Sequence, residues 1–404
     1  MLKNNFEKWE EKTLGEIASI KGGKRLPKGE KLSTEKTNHP YIRVTDFNDR
    51  GTVDIDNVQF ITDGIYEQIK NYTISSSDLY ISIAGTIGKS GIIPKELDGA
   101  NLTENACKLV YKTKNISNRY VYYYTQTNLF KEQIFDKTKM AAMPKLALTR
   151  LATVKLLVPS LLEQERIVAK LDKSFEAIDK VKANAEQNLT NAKELFESAL
   201  NKVFTENTEG WEEKTLGEVT QIISGTTPDT TNVKFWGNEN YWITPAEINE
   251  NCLYVRDTAR KITNYAIESC SLRPMPRGTV IFSSRAPIGK LAISDVDVLY
   301  CNQGFKNFIC SKCLNSKFLY YFLLKNKQYL ISLGKGTTFK EVSKSIVSSV
   351  EIKYPPLSEQ QKIVEKLDKL QEQTKQLEAI YTQKIKDLDE LKQSILQKAF
   401  RGEL

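Results

Sequence analysis

Two stretches of this chain carry a single apolar stripe at helical spacing. Between Glu163 and Phe204 there is neither Gly nor Pro. Apolar or small side chains recur there at Ile167, Leu171, Phe175, Ile178, Val181, Ala185, Leu189, Ala192, Leu195, Ala199 and Val203. The mean step is about 3.6 residues, which predicts one continuous helix with one apolar face. The last segment repeats the pattern at Ile363, Leu367, Leu370, Thr374, Leu377, Tyr381, Lys384, Leu388, Leu391, Ile395 and Ala399. A Pro and a Ser precede each stretch and suit a helix start. At 1.5 Å per residue each helix would reach roughly 63 Å. A stripe of that length has to be covered. The expected cover is the other helix in an antiparallel pair, seamed by Ile167, Leu171, Phe175, Ile178, Ile363, Leu367, Leu370, Leu377, Leu388 and Ile395. The alternative is that each helix packs on its own neighbouring domain.

The remaining segments have a different rhythm. Short β-rich runs such as Tyr41-Ile42-Arg43-Val44, Asp78-Leu79-Tyr80-Ile81-Ser82-Ile83 and Lys108-Leu109-Val110-Tyr111 are broken by Gly, Asn, Asp and Pro. Thr279-Val280-Ile281-Phe282 and Leu291-Ala292-Ile293 do the same later. Aromatic-rich helices are expected over 118–130 and 316–332. These parts echo one another at about 200 residues. Trp9-Glu10-Glu11-Lys12-Thr13-Leu14-Gly15-Glu16 returns as Trp211-Glu212-Glu213-Lys214-Thr215-Leu216-Gly217-Glu218. Ile87-Gly88-Lys89 returns as Ile288-Gly289-Lys290, and Tyr41-Ile42-Arg43-Val44 sits at the position of Tyr241-Trp242-Ile243-Thr244. Such a period is too long for a solenoid and denotes a duplicated domain. Four segments follow: a globular domain over 1–158, a spacer helix over 159–208, a second globular domain over 209–354 and a second spacer helix over 355–404. The fold class is α+β, with two globular domains in a pseudo-two-fold arrangement separated by two long antiparallel helices.

Charge sharpens this division. The chain carries a net +8. Residues 159–210 hold 7 basic and 10 acidic residues, and 355–404 hold 9 of each, so the rest is +11. Positive charge confined to the globular parts suits contact with a polyanion. No run of 18 apolar residues occurs, so no membrane span is expected. The first residues have no apolar stretch of the signal-peptide kind, and a cytoplasmic location is expected.

Several motifs resemble chemistry and do not complete it. The one histidine, His39, lies in a loop before a strand and has no counterpart in the second copy. Gly85-Thr86-Ile87-Gly88-Lys89-Ser90 lacks the first Gly of a phosphate-binding loop, since residue 83 is Ile. Cys310-Ser311-Lys312-Cys313 is a lone C-x-x-C without two further ligands at matched spacing, so no metal site is expected. Tyr354-Pro355-Pro356-Leu357 lacks the polar first residue of an amine-methylating motif, and Glu212-Glu213-Lys214 lacks the preceding Pro-Asp of a nuclease. No catalytic site assembles. What recurs in both halves is polar and basic loop material. In the first domain it is Lys21, Lys24, Arg25, Arg43, Lys89, Lys137 and Lys139. In the second it is Thr226, Thr227, Lys234, Arg285, Lys290, Asn302, Gln303, Lys306, Lys335, Thr337, Thr338 and Lys340. These side chains read base edges or hold phosphates.

The whole chain resembles the specificity subunit of type I DNA restriction-modification systems. The most specific resemblances are the two Trp-Glu-Glu-Lys-Thr-Leu-Gly-Glu entries and Gly336-Thr337-Thr338-Phe339-Lys340-Glu341-Val342-Ser343. Pro355-Pro356-Leu357-Ser358-Glu359-Gln360-Gln361-Lys362-Ile363-Val364, the closing 391–400 block and Asn302-Gln303-Gly304-Phe305-Lys306 resemble it equally. The first half departs at two places. Met140-Ala141-Ala142-Met143-Pro144-Lys145 stands where 336–341 does, and Thr103-Glu104-Asn105-Ala106 stands near 302–305. The resemblance implies that each globular part is a target recognition domain binding half of a bipartite, asymmetric site on double-stranded DNA. It implies that the helices set the unread spacer and dock two methyltransferase subunits. Restriction/translocase subunits would join them. S-adenosylmethionine, ATP and Mg²⁺ would belong to those partners, none to this chain. A non-enzymatic coiled-coil adaptor with two protein-binding domains is the alternative reading.

Overall fold

The computed structural model describes residues 9–138, 144–206, 208–249, 253–285, 287–335 and 340–404. The chain divides into two compact units. The first joins Met1–Ala185 to Gln383–Leu404, and the second is Glu186–Thr382. The boundaries therefore fall inside both long helices, Leu161–Thr205 and Leu357–Phe400. This differs from the expected division into domains and separate spacers, because each end of each helix is built into a globular core.

The first unit opens with a strand, Glu10–Thr13, paired antiparallel with Lys155–Val158. Thr13 then caps a short helix, Leu14–Ile17, in a capping box. The Glu16 carboxylate accepts from the Thr13 amide at 2.6 Å and hydroxyl at 2.7 Å. Gly15 packs closely on Ala152: a Cβ there would stand 3.1 Å away, so the neighbour would have to give by a few tenths of an ångström. A four-stranded antiparallel sheet follows in the order Ala18–Gly22, Ala106–Tyr111, Leu79–Ser82, Ser90–Gly91. A smaller sheet sets Pro40–Ile42 antiparallel to Gln59–Phe60 and parallel to Asn101–Leu102.

The second unit repeats this plan with longer sheets. Glu212–Thr215 pairs with Glu351–Tyr354, and Thr215 and Glu218 rebuild the capping box. One five-stranded sheet runs Thr220–Ile223, Asn307–Cys310, Val280–Phe282, Leu291–Ser294, Tyr254–Val255. The other holds Trp236–Gly237, Arg260–Ile262, Asn240–Ile243, Val298–Cys301 and Met275–Pro276. The aromatic helix expected over 118–130 is two helices, Asn118–Gln126 and Asn128–Lys137. Thr127, fully buried, caps the second helix through its hydroxyl and ends the first. Its copy breaks likewise at Asn326.

Each long helix carries in its first turn a buried glutamine that ties it to its own domain. Gln164 Oε1 accepts from the Ser117 amide at 2.9 Å, while Nε2 donates to Pro159 and Asn115 carbonyls at 2.9 and 3.0 Å. Gln360 does the same with Asn315 at 2.8 Å, Pro355 at 2.7 Å and Cys313 at 2.8 Å. One helical turn pair later, Asp172 receives Arg119 and the Tyr123 hydroxyl, and Asp368 receives Lys317 and Tyr321.

The seam residues are placed differently from the expected helix pair. Ile167, Leu171, Phe175 and Ile178 join the first unit's core, packed among Leu14, Leu79, Tyr120, Tyr124 and Phe130. Leu367 joins the second unit's core, with Ile363 against its edge. The other helix also enters each core. Leu396, Ala399 and Phe400 are buried in the first, flanked by Leu388 and Ile395, and Leu200 is buried in the second. Phe400 lies 5.0 Å from Tyr120 and 5.6 Å from Tyr124. In the first unit the helices run antiparallel, with Lys182 bonded to Asp389 at 2.6 Å and Lys392 to Asp179 at 2.9 Å. Leu377 is exposed and Leu370 half-buried. The stripe is thus shared between domain and partner helix, because the domains supply large aromatic surfaces that a two-helix seam does not.

Candidate nucleic-acid interface

The polar loops gather at corresponding places in each unit, and backbone bonds define the correspondence. In the first, the Ile83 amide donates to the Asn105 carbonyl at 2.8 Å, and Leu146 donates to Ile83 at 2.9 Å. In the second, Ser284 donates to Gly304 at 2.8 Å and Val342 to Ser284 at 2.9 Å. The isolated bridges Ala84 to Lys145 and Arg285 to Glu341 complete the match. Lys145 therefore stands where Glu341 does, and 103–106 where 302–305 does, in line with the sequence comparison. The strand correspondence needs one correction. Tyr41 pairs beside Asn101 and Trp242 beside Tyr300, so Tyr41 matches Trp242 rather than Tyr241. A shift of one residue exchanges the two faces of a strand, and the buried rings fix the register.

The second unit centres on Glu341. Its carboxylate takes Arg285 Nε at 2.8 Å and Lys306 Nζ at 3.1 Å, with Ser284 Oγ 3.3 Å from the same ammonium. Partial burial opposes the charge on Glu341, but bonds from Lys306 and Arg285 outweigh it and hold the carboxyl below its usual range. Lys335 pairs its backbone with Glu341 at 3.0 Å, leaving its side chain exposed with that of Lys340. Asn302 Oδ1 accepts from the Gly304 amide at 2.9 Å, shaping the turn that presents Gln303. Thr227 Oγ1 donates to Gln303 Oε1 at 2.5 Å. Thr226 is exposed, and its carbonyl accepts from the Trp242 indole at 3.2 Å. Lys234 is exposed near the start of Trp236–Gly237.

In the first unit Arg25 Nε donates to Glu104 at 2.7 Å, and Thr103 supports the other carboxylate oxygen at 3.0 Å. The bond to Glu104 raises the Arg25 pKa. Burial works against the Glu104 charge, but hydrogen bonds from Arg25, its own backbone and Thr103 prevail and lower its pKa. Lys24 lies 5.4 Å over the Tyr72 ring, and Lys21 is exposed on its strand. Lys137 ends its helix, where its carbonyl accepts from Arg150.

Four predicted contacts are committed to the protein itself. Arg43 spends its guanidinium on Asp46, Gln59 and the Asn57 carbonyl. Lys306 is buried beneath Glu341. Lys290 Nζ donates to the Pro245 carbonyl at 2.8 Å, and Lys89 pairs with Asp49 at 2.9 Å. The first two are frame residues: their donors are taken internally and the ammonium of Lys306 is out of reach of a ligand. Lys139, Thr337 and Thr338 lie outside the described residues. Sequence reasoning missed Glu104, Glu341, Tyr72 and Trp242 because it sought cations and amides; the divergent run at 103–106 was the available signal.

The motifs set aside have structural roles. His39 stacks on Tyr66 at 3.9 Å and bonds Asp63 at 2.9 Å. The Gly-Lys loops are tight turns stapled by a serine: Ser82 Oγ accepts from the Lys89 amide at 2.9 Å, and Ser283 Oγ from Lys290 at 2.8 Å. Gly88 and Gly289 have φ of 91° and 96°, which only glycine adopts without strain. Burial pushes the thiols of Cys107, Cys301 and Cys310 up to about 12. Among the described residues, no group of three His, Cys, Asp or Glu is placed to hold a metal ion.

The profile of the type I restriction modification DNA specificity domain matches residues 6–190 and again 208–387. The chain belongs to this family. It is 25% identical over 386 residues to the putative type I restriction enzyme MjaX specificity subunit of Methanocaldococcus jannaschii, covering 89% of this chain and 86% of that one. It is 41% identical over 157 residues to the MjaIX specificity subunit of the same organism, and that stretch spans only 36% of the relative's length and 38% of this chain. Among solved structures, the HsdS subunit from Thermoanaerobacter tengcongensis shares the fold with a TM-score of 0.62 at 22% identity, over 98% of this chain and 97% of that one. A chain from work on complex assembly and conformational transition of the type I R-M system gives 0.80 at 23% identity, with 98% of both chains covered. Family membership thus agrees with the two-domain α+β reading and with a specificity component rather than an enzyme. No helix among the described residues is long and apolar enough to cross a membrane.

Proposed function

We propose that this chain recognises a bipartite site on double-stranded DNA, one half-site per domain, for a type I restriction-modification complex. One observation carries the reading: the same backbone frame appears twice, with different polar and basic side chains on the corresponding loops. A repeated scaffold with divergent chemistry is what two half-sites of unrelated sequence require. The long helices would fix the number of unread base pairs between the half-sites and dock two methyltransferase subunits. Those partners would carry S-adenosylmethionine, and restriction/translocase subunits would carry ATP and Mg²⁺, all acting in the cytoplasm.

The test is methylation-sensitive sequencing of DNA from cells that express the chain with its modification subunit. The expected result is one bipartite motif with a fixed gap. Methylation by the purified chain alone, or binding that does not weaken as salt rises, would overturn the reading. Four-residue insertions at matched points of both helices should change the gap and leave both half-sites unaltered.

A further inference from the structure

The two domains hold one pair of loop side chains at the same point of the frame, with opposite chemistry. In the first, Lys24 N donates to the Leu102 carbonyl at 2.8 Å, and the Tyr41 hydroxyl donates to the Lys24 carbonyl at 2.7 Å. In the second, Thr226 N donates to the Cys301 carbonyl at 3.1 Å, and the Trp242 indole donates to the Thr226 carbonyl at 3.2 Å. The glycine before each is pressed on the next strand; a Cβ on Gly23 would fall 2.1 Å from the Thr103 carbonyl, and on Gly225 1.8 Å from that of Cys301. Arg25 and Thr227 are therefore equivalent, and so are their partners Glu104 and Gln303.

These pairs do not serve folding. An exposed ion pair contributes little to stability, and the Arg25 side chain is 78% exposed. Its anchor is not exposed to the same degree: Glu104 is 24% exposed and is itself held by Thr103. Only Nε is engaged. Nη1 and Nη2 have no partner among the described residues, and they form the fork that matches two acceptors in a plane. On Gln303, Thr227 takes one lone pair of Oε1, while the amide nitrogen has no partner among the described residues. That leaves one acceptor and one donor side by side. The guanine edge in the major groove shows two acceptors, and the adenine edge one acceptor and one donor. Anchoring lowers the ordering cost of placing either side chain on a base.

We propose that this paired position reads a base in both domains, through Arg25 on a guanine in the first and through Gln303, the equivalent of Glu104, on an adenine in the second, with Glu104 and Thr227 as positioning residues. This rests on the reading of the domains as DNA-binding. The experiment is motif sequencing of DNA modified by the assembled complex carrying R25A, E104Q, Q303A or the exchange R25T/E104Q. R25A should cut the preference for guanine at one position of one half-site by roughly tenfold or more. The unaltered second half-site in the same molecules reports that the chain is folded. E104Q should weaken the same position partially, Q303A should relax an adenine in the other half-site, and the exchange should shift the first position from guanine towards adenine. Unchanged motifs in R25A and Q303A would overturn the proposal while leaving the domains as DNA readers. A wild-type complex with no bipartite motif would overturn that reading and this inference together.

Discussion

The two domains agree where the main chain supplies the bonds and differ where side chains face outward. The glutamine joints match to within a few tenths of an ångström, although Asn115 and Ser117 become Cys313 and Asn315. Main-chain donors and acceptors do not depend on residue identity, so the joint survives sequence drift. Tyr41 and Trp242 make the same bond to a carbonyl from different rings. At the Glu341 position the domains part: Glu341, Arg285 and Lys306 are replaced by Lys145, Ala84 and the buried Cys107. The ionic cluster of the second unit thus has no counterpart in the first, where an exposed lysine, an alanine and a buried thiol stand on the same backbone frame.

The largest expected difference between the units lies in their aromatic plugs. Phe400 is 4% exposed among Tyr120 and Tyr124, whereas Phe204 is half-buried against Phe318 and Phe322. F400A should cost the first unit about 3–5 kcal/mol and F204A should cost the second less, about 1–2 kcal/mol. Hydrogen exchange resolved by unit measures both, and equal losses would break the comparison. Q164L and Q360L should each cost about 2–4 kcal/mol by stranding buried peptide groups. Near-equal values in denaturant titrations would show that the joint is duplicated in energy as well as geometry.

Acid should separate the units more gently. The lowered pKa of Glu341 means that its stabilisation is complete above the usual carboxylate range and is lost as pH falls through the lower folded value. The Lys145 position has no such carboxylate. E341Q should therefore remove part of the second unit's acid sensitivity at a neutral-pH cost of about 1 kcal/mol, small because the group is partly solvated. The smallest effect concerns exposed lysines. K21A and K335A should each reduce the salt slope of DNA affinity by about one, with no change in sequence preference.

Much of this was legible in the sequence. The 3.6-residue stripe located both long helices, because that signal is local, and the repeated Trp-Glu-Glu-Lys-Thr-Leu-Gly-Glu runs marked the duplication; the capping boxes they form went unread. What covered the stripe was not legible. Leu171 and Ala399 look alike in periodicity, yet both pack into a core built by residues far away in the chain. Likewise Lys306 looked like a phosphate ligand, and only its burial beside Glu341 shows otherwise. Composition cannot separate a cation that faces solvent from one that closes a network.

The placement of Phe400 also bears on how the chain assembles as it is made. The second unit is one unbroken segment, Glu186–Thr382, and has all its parts once that segment has emerged. The first unit begins earlier but needs Leu396, Ala399 and Phe400 to fill its core. Domains that form during synthesis usually do so from the N-terminal end. Here the order should invert: the later-encoded unit can close first, and the earlier one stays open until the last helix arrives.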